Sequence, residues 1–472
     1  MQVAVVGGGI TGLTTALFLT RAGKQVAVLE ARQLGAGVTS GTTAHLTEAL
    51  DTRYHELESK FGAEGARLAR QSSRWAIDAM AELAAGADCG FERVPGYLFT
   101  DSDRDLAELD AEASAAERAG ARVARLTKVP LPFPVLGGLL FEDQAQLRPL
   151  DYLAQLLRHL QATPARVYEG VGVLDVETQG SLRLQTSAGY SITADAVVLA
   201  THAPFQSLKQ QLNLAQYRSY VVAGPTTAAL PGLFWDMADP YHYLRTVEVD
   251  GSVHLVVGGG DHRTGTHAEA DADAPFRELQ AYAARLGTEP TRRWSAQVAE
   301  PADGLPFIGK PDPSSEIYVA QGFSGNGTTF GTLAARIITD QLVGRPNLYS
   351  ELYRADRIKP LAAAAAIVTE NAETAVHLAA GHLKPVEELQ LSELPVGVGR
   401  IIKHDGKKLA VYRDDGGRIH AVSAICTHQG CQVAFNPIEC SWDCPCHGSR
   451  FDVDGQVLDG PAKKPLAPAS VQ

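Results

Sequence analysis

The sequence predicts an α/β chain: a Rossmann-like sheet opens it, an antiparallel-sheet domain is inserted into that sheet, and a small all-β domain closes it. Three observations carry this reading. The first thirty residues run strand, glycine-rich turn, helix, strand. A second buried strand, ADAVVLATHA at 194–203, returns more than 150 residues later, as expected of an interrupted parallel sheet. The last stretch, about 80 residues long, consists of short strands punctuated by Asp405-Gly406 and Asp415-Gly416-Gly417.

The opening reads VAVVGGGITGLTTALFLTRAGKQVAVLE, Val3 to Glu30. Val3, Val5 and Val6 form a buried strand, and Leu13, Ala16, Leu17 and Phe18 give the helix its apolar face. Gly7 serves the tight turn, Gly9 lets the backbone approach a pyrophosphate, and Gly12 lets helix and strand pack closely. A diphosphate suits the helix N-terminus, where free amides and the dipole favour negative charge. Glu30, ending the second strand, is placed to accept from a ribose hydroxyl.

A chain of 472 residues exceeds one ordinary core, so two or three domains are expected. Net charge is −12 without a Lys/Arg cluster, which argues against nucleic acid or an anionic membrane as partner. No run of 18 apolar residues occurs, and a strand beginning at residue 2 leaves no room for a signal peptide. A cytoplasmic location is expected.

Arg53–Leu83 and Asp103–Ala119 read as helices, Pro95–Thr100 as a strand, and Arg148–Leu160 as a helix with Pro149 in its first turn. Val167–Val176 alternates like one strand. Tyr217–Gly260 is strand-rich, with Asp250-Gly251 as a hairpin turn. Gly258–Gly260 do not open a second nucleotide site, because Arg263 stands where the third glycine would be. Ile317–Gly344 reads as strand, glycine turn and a helix starting near Thr328. An alanine-rich helix, Leu361–Ala380, and a linker, Lys384–Pro395, lead to the tail. Basic and acidic residues balance at nine each from Leu391 onward, so the acidity belongs to the larger part.

Five of the six cysteines fall within 21 residues, and Cys89 stands apart. In a chain expected to be cytosolic, this clustering points to metal or redox chemistry. Cys426 and His428 form a CxH pair; after fifteen residues Cys444 and His447 form a CxxH pair. Two thiolates and two imidazoles suit a tetrahedral zinc or a [2Fe-2S] cluster.

The whole string CTHQGCQVAFNPIECSWDCPCHGSRF resembles the Rieske ferredoxin motif. That resemblance implies Cys426, His428, Cys444 and His447 as cluster ligands, a Cys431–Cys446 disulfide between the ligand loops, and GPAKKPL (460–466) as the proline loop over the cluster. Phe451 stands where high-potential relatives carry a tyrosine, which implies a lower potential within the broad span of about −150 to +300 mV. Cys440 has no role in the motif.

With the loop after Glu30, the VLAT strand, DGLPFIG (303–309) and GFSGNG (322–327), the larger part resembles the D-amino acid oxidase family of FAD-dependent oxidoreductases, whose FAD-binding domain is of glutathione-reductase type. The implied domains are 1–355, with FAD-binding parts at about 1–50, 150–205 and 300–345 and the substrate part between, a helix and linker at 356–390, and the Rieske domain at 391–472. By the same resemblance Gly7, Gly9, Gly12 and Glu30 hold the ADP half of FAD and Val173 holds adenine through its backbone; Gly325, Asn326, Gly327 and Thr328 meet the flavin's pyrimidine edge. Thr43 and His45, in TSGTTAH, lie in a segment similar to one whose histidine is covalently joined to FAD in dimethylglycine dehydrogenase; a neutral hydrogen-bonding histidine is the alternative.

Tyr241, Tyr243 and Arg245 share one face of a predicted strand and are candidates for holding a substrate carboxylate; Asp261 and His262 are further candidates for lining the pocket. The resemblance implies oxidation of a C–N bond of a small-molecule amine or amino acid. Electrons would pass from FAD to the Rieske [2Fe-2S] cluster and on to an external one-electron acceptor. The alternatives are a reductase fed through the cluster by a ferredoxin-type donor, or a redox sensor with no substrate of its own.

Overall fold

Four short strands of apolar, mostly β-branched residues build the centre of the opening sheet in a computed structural model, which describes residues 1–178, 180–203, 213–266, 272–357 and 391–470. The six-stranded order is Phe307–Gly309, Ile317–Gln321, Ala196–Leu199, Val3–Val6, Val26–Leu29, Arg166–Tyr168. Phe307–Gly309 is antiparallel to its neighbour, and the other pairs are parallel. Val3 to Val6 pair with Ala196 to Leu199 residue for residue, so the interrupted sheet is resumed as the VLAT strand predicts.

The chain divides into two compact units. The first comprises Met1–Ala200, Ser219–Asp261 and Pro275–Ile358. In it, helix Ile10–Arg21 buries Ile10, Leu13, Ala16 and Leu17, while Phe18 is only partly buried. Helix Gly327–Leu342 crosses it closely: a Cβ on Gly331 would lie 2.4 Å from Thr11 Oγ1. Tyr54–Ala84 forms a two-part helix that breaks at Gly62, whose φ of 75° lies in the left-handed region.

The inserted part is a nine-stranded sheet. Its pairs are antiparallel where Asp250 and Gly251 turn the hairpin from His242–Val249 to Ser252–Arg263. One pair, Leu233–Asp236 with Glu92–Thr100, is parallel. The predicted strand Val167–Val176 is not continuous: it divides into Arg166–Tyr168, at the edge of the opening sheet, and Val173–Glu177, in a separate three-stranded sheet. Gly170, with φ of 70°, makes the break.

The second unit, Thr201–Arg218, His262–Ala274 and Lys359–Gln472, contains a three-stranded and a four-stranded antiparallel sheet. Asp405 and Gly406 turn the first hairpin with φ of 48° and 77°. Trp442, Phe435, Phe451 and Leu466 form its core with four cysteines. Leu394 is buried against Ile402 and Val411, so the part of the predicted linker beyond Leu391 packs with the tail. The alanine-rich helix at 361–380 and the start of the linker lie outside the described residues. Among the described residues, no helix is long and apolar enough to cross a membrane.

Candidate functional site

The glycine turn is built by contacts that leave no room for side chains. Gly7 has φ of 110°, and a Cβ there would lie 2.4 Å from the Ala200 carbonyl oxygen. A Cβ on Gly12 would lie 1.9 Å from the Gly7 carbonyl oxygen, so the first helical turn rests directly on the loop. Gly12→Ala is therefore expected to cost about 1–3 kcal/mol and to lower the flavin-to-protein ratio of the purified protein, read by thermal unfolding and visible absorbance.

The N-cap residue of helix Ile10–Arg21 is Gly9, which offers no side-chain cap, and no acid stands in the first turn, so negative charge is favoured at this end. Thr39 stands over it: its Oγ1 accepts from the Ile10 amide at 3.3 Å and lies 2.8 Å from where a Gly9 Cβ would be. Glu30 accepts the Gly8 amide at 2.7 Å and the Arg32 amide at 2.9 Å. Each carboxylate oxygen keeps a second lone pair for a ribose hydroxyl. The Val171 amide bonds the Glu30 carbonyl at 2.8 Å, which brings the segment leading to Val173 alongside the acid.

A second helix end completes this cradle. Gly327–Leu342 begins at Asn326 without a side-chain cap or a first-turn acid. The Asn326 side chain instead accepts the Asp51 amide at 3.1 Å, and the Gly325 amide donates to the Asp51 carboxylate at 2.5 Å. A 3-10 turn, Ser324–Asn326, runs directly into that helix, so its positive end lies in the GFSGN turn ahead of Gly327. A glycine turn that admits no side chains, the N-terminus of helix Ile10–Arg21 and a strand-ending acid beside that turn fit the ADP half of a dinucleotide.

His45 pairs opposite Gln146 at the sheet edge. Its Nε2 lies 3.4 Å from the Leu244 carbonyl oxygen and its Nδ1 3.1 Å from Thr43 Oγ1. The carbonyl only accepts, so Nε2 carries the proton and Thr43 donates to Nδ1. Burial and the Arg245 charge push its pKa down to about 3 against that carbonyl bond, so the ring is neutral.

Tyr243 meets His45 edge-on with ring centroids 5.5 Å apart, and Tyr241 lies 5.8 Å from Tyr243. Tyr241 precedes the strand, which starts at His242. Both Nη atoms of Arg245, a candidate for holding a substrate carboxylate, have protein partners, while its Nε is buried without one. Its Nη1 bonds Gln146 Oε1 at 3.2 Å, its Nη2 bonds the Leu147 carbonyl at 2.9 Å, and the residue is 3% exposed. Burial lowers its pKa to about 10. His242 points elsewhere: it bonds Asp236 at 2.9 Å and stacks on Tyr282. Burial opposes its charge, but Asp236 and Glu278 outweigh that and raise its pKa.

In the second unit, the two ligand loops share one design. The Gly430 amide returns to the Cys426 carbonyl at 3.0 Å and the Gly448 amide to the Cys444 carbonyl at 2.9 Å, with φ of 78° and 73° at the two glycines. Cys431 and Cys446 are joined as a disulfide, Cα atoms 6.5 Å apart. Cys426 and Cys444 stay free and buried, with His428 and His447 rings 4.9 Å apart. Nδ1 of each histidine is buried without a partner, and burial pushes the pKa of both rings down, toward the neutral form that ligates. These orphaned nitrogens beside two free thiols fit a [2Fe-2S] cluster held by Cys on one iron and His on the other.

The proline loop is tied to both ligand loops, by Thr427 Oγ1 to the Lys464 carbonyl at 2.6 Å and by the Ala462 amide to Ser449 Oγ at 3.0 Å. Cys440 is exposed, its thiol 3.8 Å from the Tyr412 hydroxyl. Sequence reasoning missed Thr39, Asp51 and Gln146, because their partners lie far away in the chain.

Comparison with known proteins agrees with this geometry. The profile of the DAO family, FAD dependent oxidoreductases, matches residues 2–341, and that of the Rieske [2Fe-2S] domain matches residues 384–470. YhfW of Bacillus subtilis (strain 168), named as a Rieske 2Fe-2S iron-sulfur protein, is 32% identical over 98% of this chain and 92% of its own length. The gamma-glutamylputrescine oxidoreductase of Escherichia coli (strain K12) is 26% identical over 73% of this chain and 84% of its own. The crystal structure of glycine oxidase from Geobacillus kaustophilus shares the fold, with a TM-score of 0.64 and 20% identity over 76% of this chain and 99% of that one. The chain belongs to the DAO family of FAD-dependent oxidoreductases and carries a Rieske [2Fe-2S] domain in its C-terminal part.

Proposed function

We propose that this chain oxidises a C–N bond of an amine or amino acid and sends the electrons through its Rieske cluster to an external one-electron acceptor. The observation that carries this reading is one chain holding both an open dinucleotide cradle and a complete Cys₂His₂ ligand set. Similarity to an oxidoreductase and an oxidase named for amine and amino-acid substrates supports the choice of bond.

FAD supplies a two-electron acceptor when bound, and the cluster a one-electron carrier. The chain's own residues would then divide the work. Gly7, Gly9 and Gly12 with the helix end at Ile10 hold the diphosphate, Glu30 a ribose hydroxyl, and Val173 the adenine through its backbone. Gly325, Asn326, Gly327 and Thr328 meet the pyrimidine edge, and the helix dipole there favours negative charge on the ring. Tyr241 and Tyr243 line the substrate side; no strong base is required if the amine arrives neutral. The imine product hydrolyses in water.

The flavin is expected to be held without a covalent bond to His45, because both ring nitrogens already have partners. Acid precipitation should leave yellow colour in the supernatant; colour retained in the washed pellet would mean a covalent link. The reading itself is tested by steady-state turnover of candidate amines with ferricyanide or a cytochrome as acceptor. Amine-dependent reduction of the acceptor is expected, and reduction of the acceptor by no amine in the panel contradicts it.

A further inference from the structure

Two neighbouring strands of the inserted sheet have ends that touch the Rieske domain. Arg218 lies on the strand Leu214–Pro225, and Arg263 ends its neighbour, Ser252–Arg263. The Thr264 amide donates to the Gln216 carbonyl at 2.9 Å, which ties the two ends together. Both ends belong to the second unit, as does the tail. Arg218 is 2% exposed, and its Nη2 donates to both carboxylate oxygens of Glu439, at 2.6 and 2.7 Å. Gly265, with φ of 80°, rests on the second ligand loop: a Cβ there would lie 2.7 Å from the Pro445 nitrogen and 3.0 Å from the Cys444 carbonyl carbon. At the proline loop, a Cβ on Gly460 would lie 3.5 Å from that of Ala203.

The same two strands also reach the candidate substrate side. The hydroxyl of Ser219, next to Arg218, lies 3.0 Å from the Tyr243 hydroxyl, and a Cβ on Gly258 would collide with the Tyr243 ring. Each strand thus meets Tyr243, and each at its end meets the cluster domain. The two ligand loops differ in exposure: Cys444, Pro445 and Cys446 are buried, whereas Thr427 and Gln429 of the first loop are exposed. Domains joined only by a linker move relative to each other by default. A buried ion pair at Glu439 and a backbone contact on the ligand loop oppose such motion here.

We infer that Arg218 and Gly265 are positioning residues for electron transfer: they hold the Rieske domain against these strand ends, so that electrons enter the cluster on the side of the Cys444 loop and leave from the Cys426 loop, where Thr427 and Gln429 stand open to an acceptor. This rests on the flavin-to-cluster reading above and adds the residues that fix it. Each transfer moves one electron from the reduced flavin to the oxidised cluster, where one iron(III) becomes iron(II). The second electron follows once the acceptor has taken the first, and the flavin's protons pass to water. A held domain frees the transfer from any search by the tail, because the encounter is already made.

The test uses the full-length protein loaded with flavin and cluster; a light flash reduces the flavin anaerobically with EDTA, and flavin reoxidation and cluster absorbance are then followed. In the wild-type protein the rate is expected to stay constant as glycerol raises the viscosity. Arg218→Met is expected to slow the transfer at least about tenfold and to make it viscosity-dependent. Its reduced-cluster EPR spectrum is expected to be unchanged, because Glu439 keeps Arg450 at 2.6 Å. Arg218→Lys, which still offers one nitrogen to both oxygens, is expected to restore the rate. Gly265→Val, with no room for its side chain, is expected to slow the transfer and also to shift the EPR spectrum, since Pro445 must move. An unchanged rate in Arg218→Met, or a wild-type rate that falls with viscosity, overturns the inference; where that variant fails to load the cluster, the wild-type viscosity series decides alone. Either result leaves the flavin-to-cluster relay standing, whereas a photoreduced flavin that never fills the cluster sinks both.

Discussion

Cys444→Ala is expected to abolish the reduced [2Fe-2S] EPR signal and to cut amine-dependent reduction of a one-electron acceptor by more than about 100-fold, while the flavin is still bleached by the amine. The division follows from the two sites. The dinucleotide cradle is assembled within the first unit from Gly7 to Gly12, Glu30 and the helix at Gly327. The ligand set lies wholly within the second, where Cys444 is buried with Cys426 and the two histidines. Removing a ligand thiolate takes away the cluster and leaves the cradle intact. Acceptor reduction that persists in Cys444→Ala would show that electrons leave directly from the flavin.

Arg450→Met is expected to destabilise the C-terminal unit by about 3–5 kcal/mol, read by guanidinium unfolding with circular dichroism and cluster absorbance. The Arg450 guanidinium spans three carboxylates: Asp443 at 3.1 Å, Glu439 at 2.6 Å and Asp459 at 3.0 Å. Asp443 is fully buried and also accepts from Asn436 and Ser441. Burial alone would raise its pKa, but the charges of Arg450 and Arg218 and these hydrogen bonds hold it below the usual value. Truncating Arg450 leaves that carboxylate without its closest cation, which is what makes a broken buried pair expensive. The sign with pH follows: a carboxylate whose folded pKa is depressed stabilises the fold above its unfolded pKa, about 3.9, and loses that contribution as pH falls through the folded value. The gap between wild type and Arg450→Met is therefore expected to be widest near neutrality and to narrow in acid.

What could be read from the sequence was set by local backbone demands. Gly7 and Gly12 are legible because a tight turn and a helix resting on it admit no Cβ, and the clustering of Cys426, His428, Cys444 and His447 points to a metal or cluster site because thiols and imidazoles in a CxH pair and a CxxH pair are ligand chemistry. The VLAT strand was legible because a strand buried on both faces is apolar throughout. Long-range partnerships were not. Period-two alternation puts Arg245 on the face of Tyr243, yet Gln146 and Leu147, nearly a hundred residues earlier, take its guanidinium. Alternation also carried Val167–Val176 through Gly170, whose left-handed backbone sends the chain into a second sheet. The Ser219 contact to the Tyr243 hydroxyl joins two different strands, and nothing in either segment announces it.

Anaerobic mixing of the flavin- and cluster-loaded protein with a panel of amines and N-methyl amino acids, following flavin absorbance and the EPR signal together, tests the central claim most directly. The account predicts that one compound bleaches the flavin first and that the reduced cluster signal then grows in. A flavin untouched by every compound, with a cluster that fills first from reduced ferredoxin, would contradict it and place electron entry at the C-terminal domain.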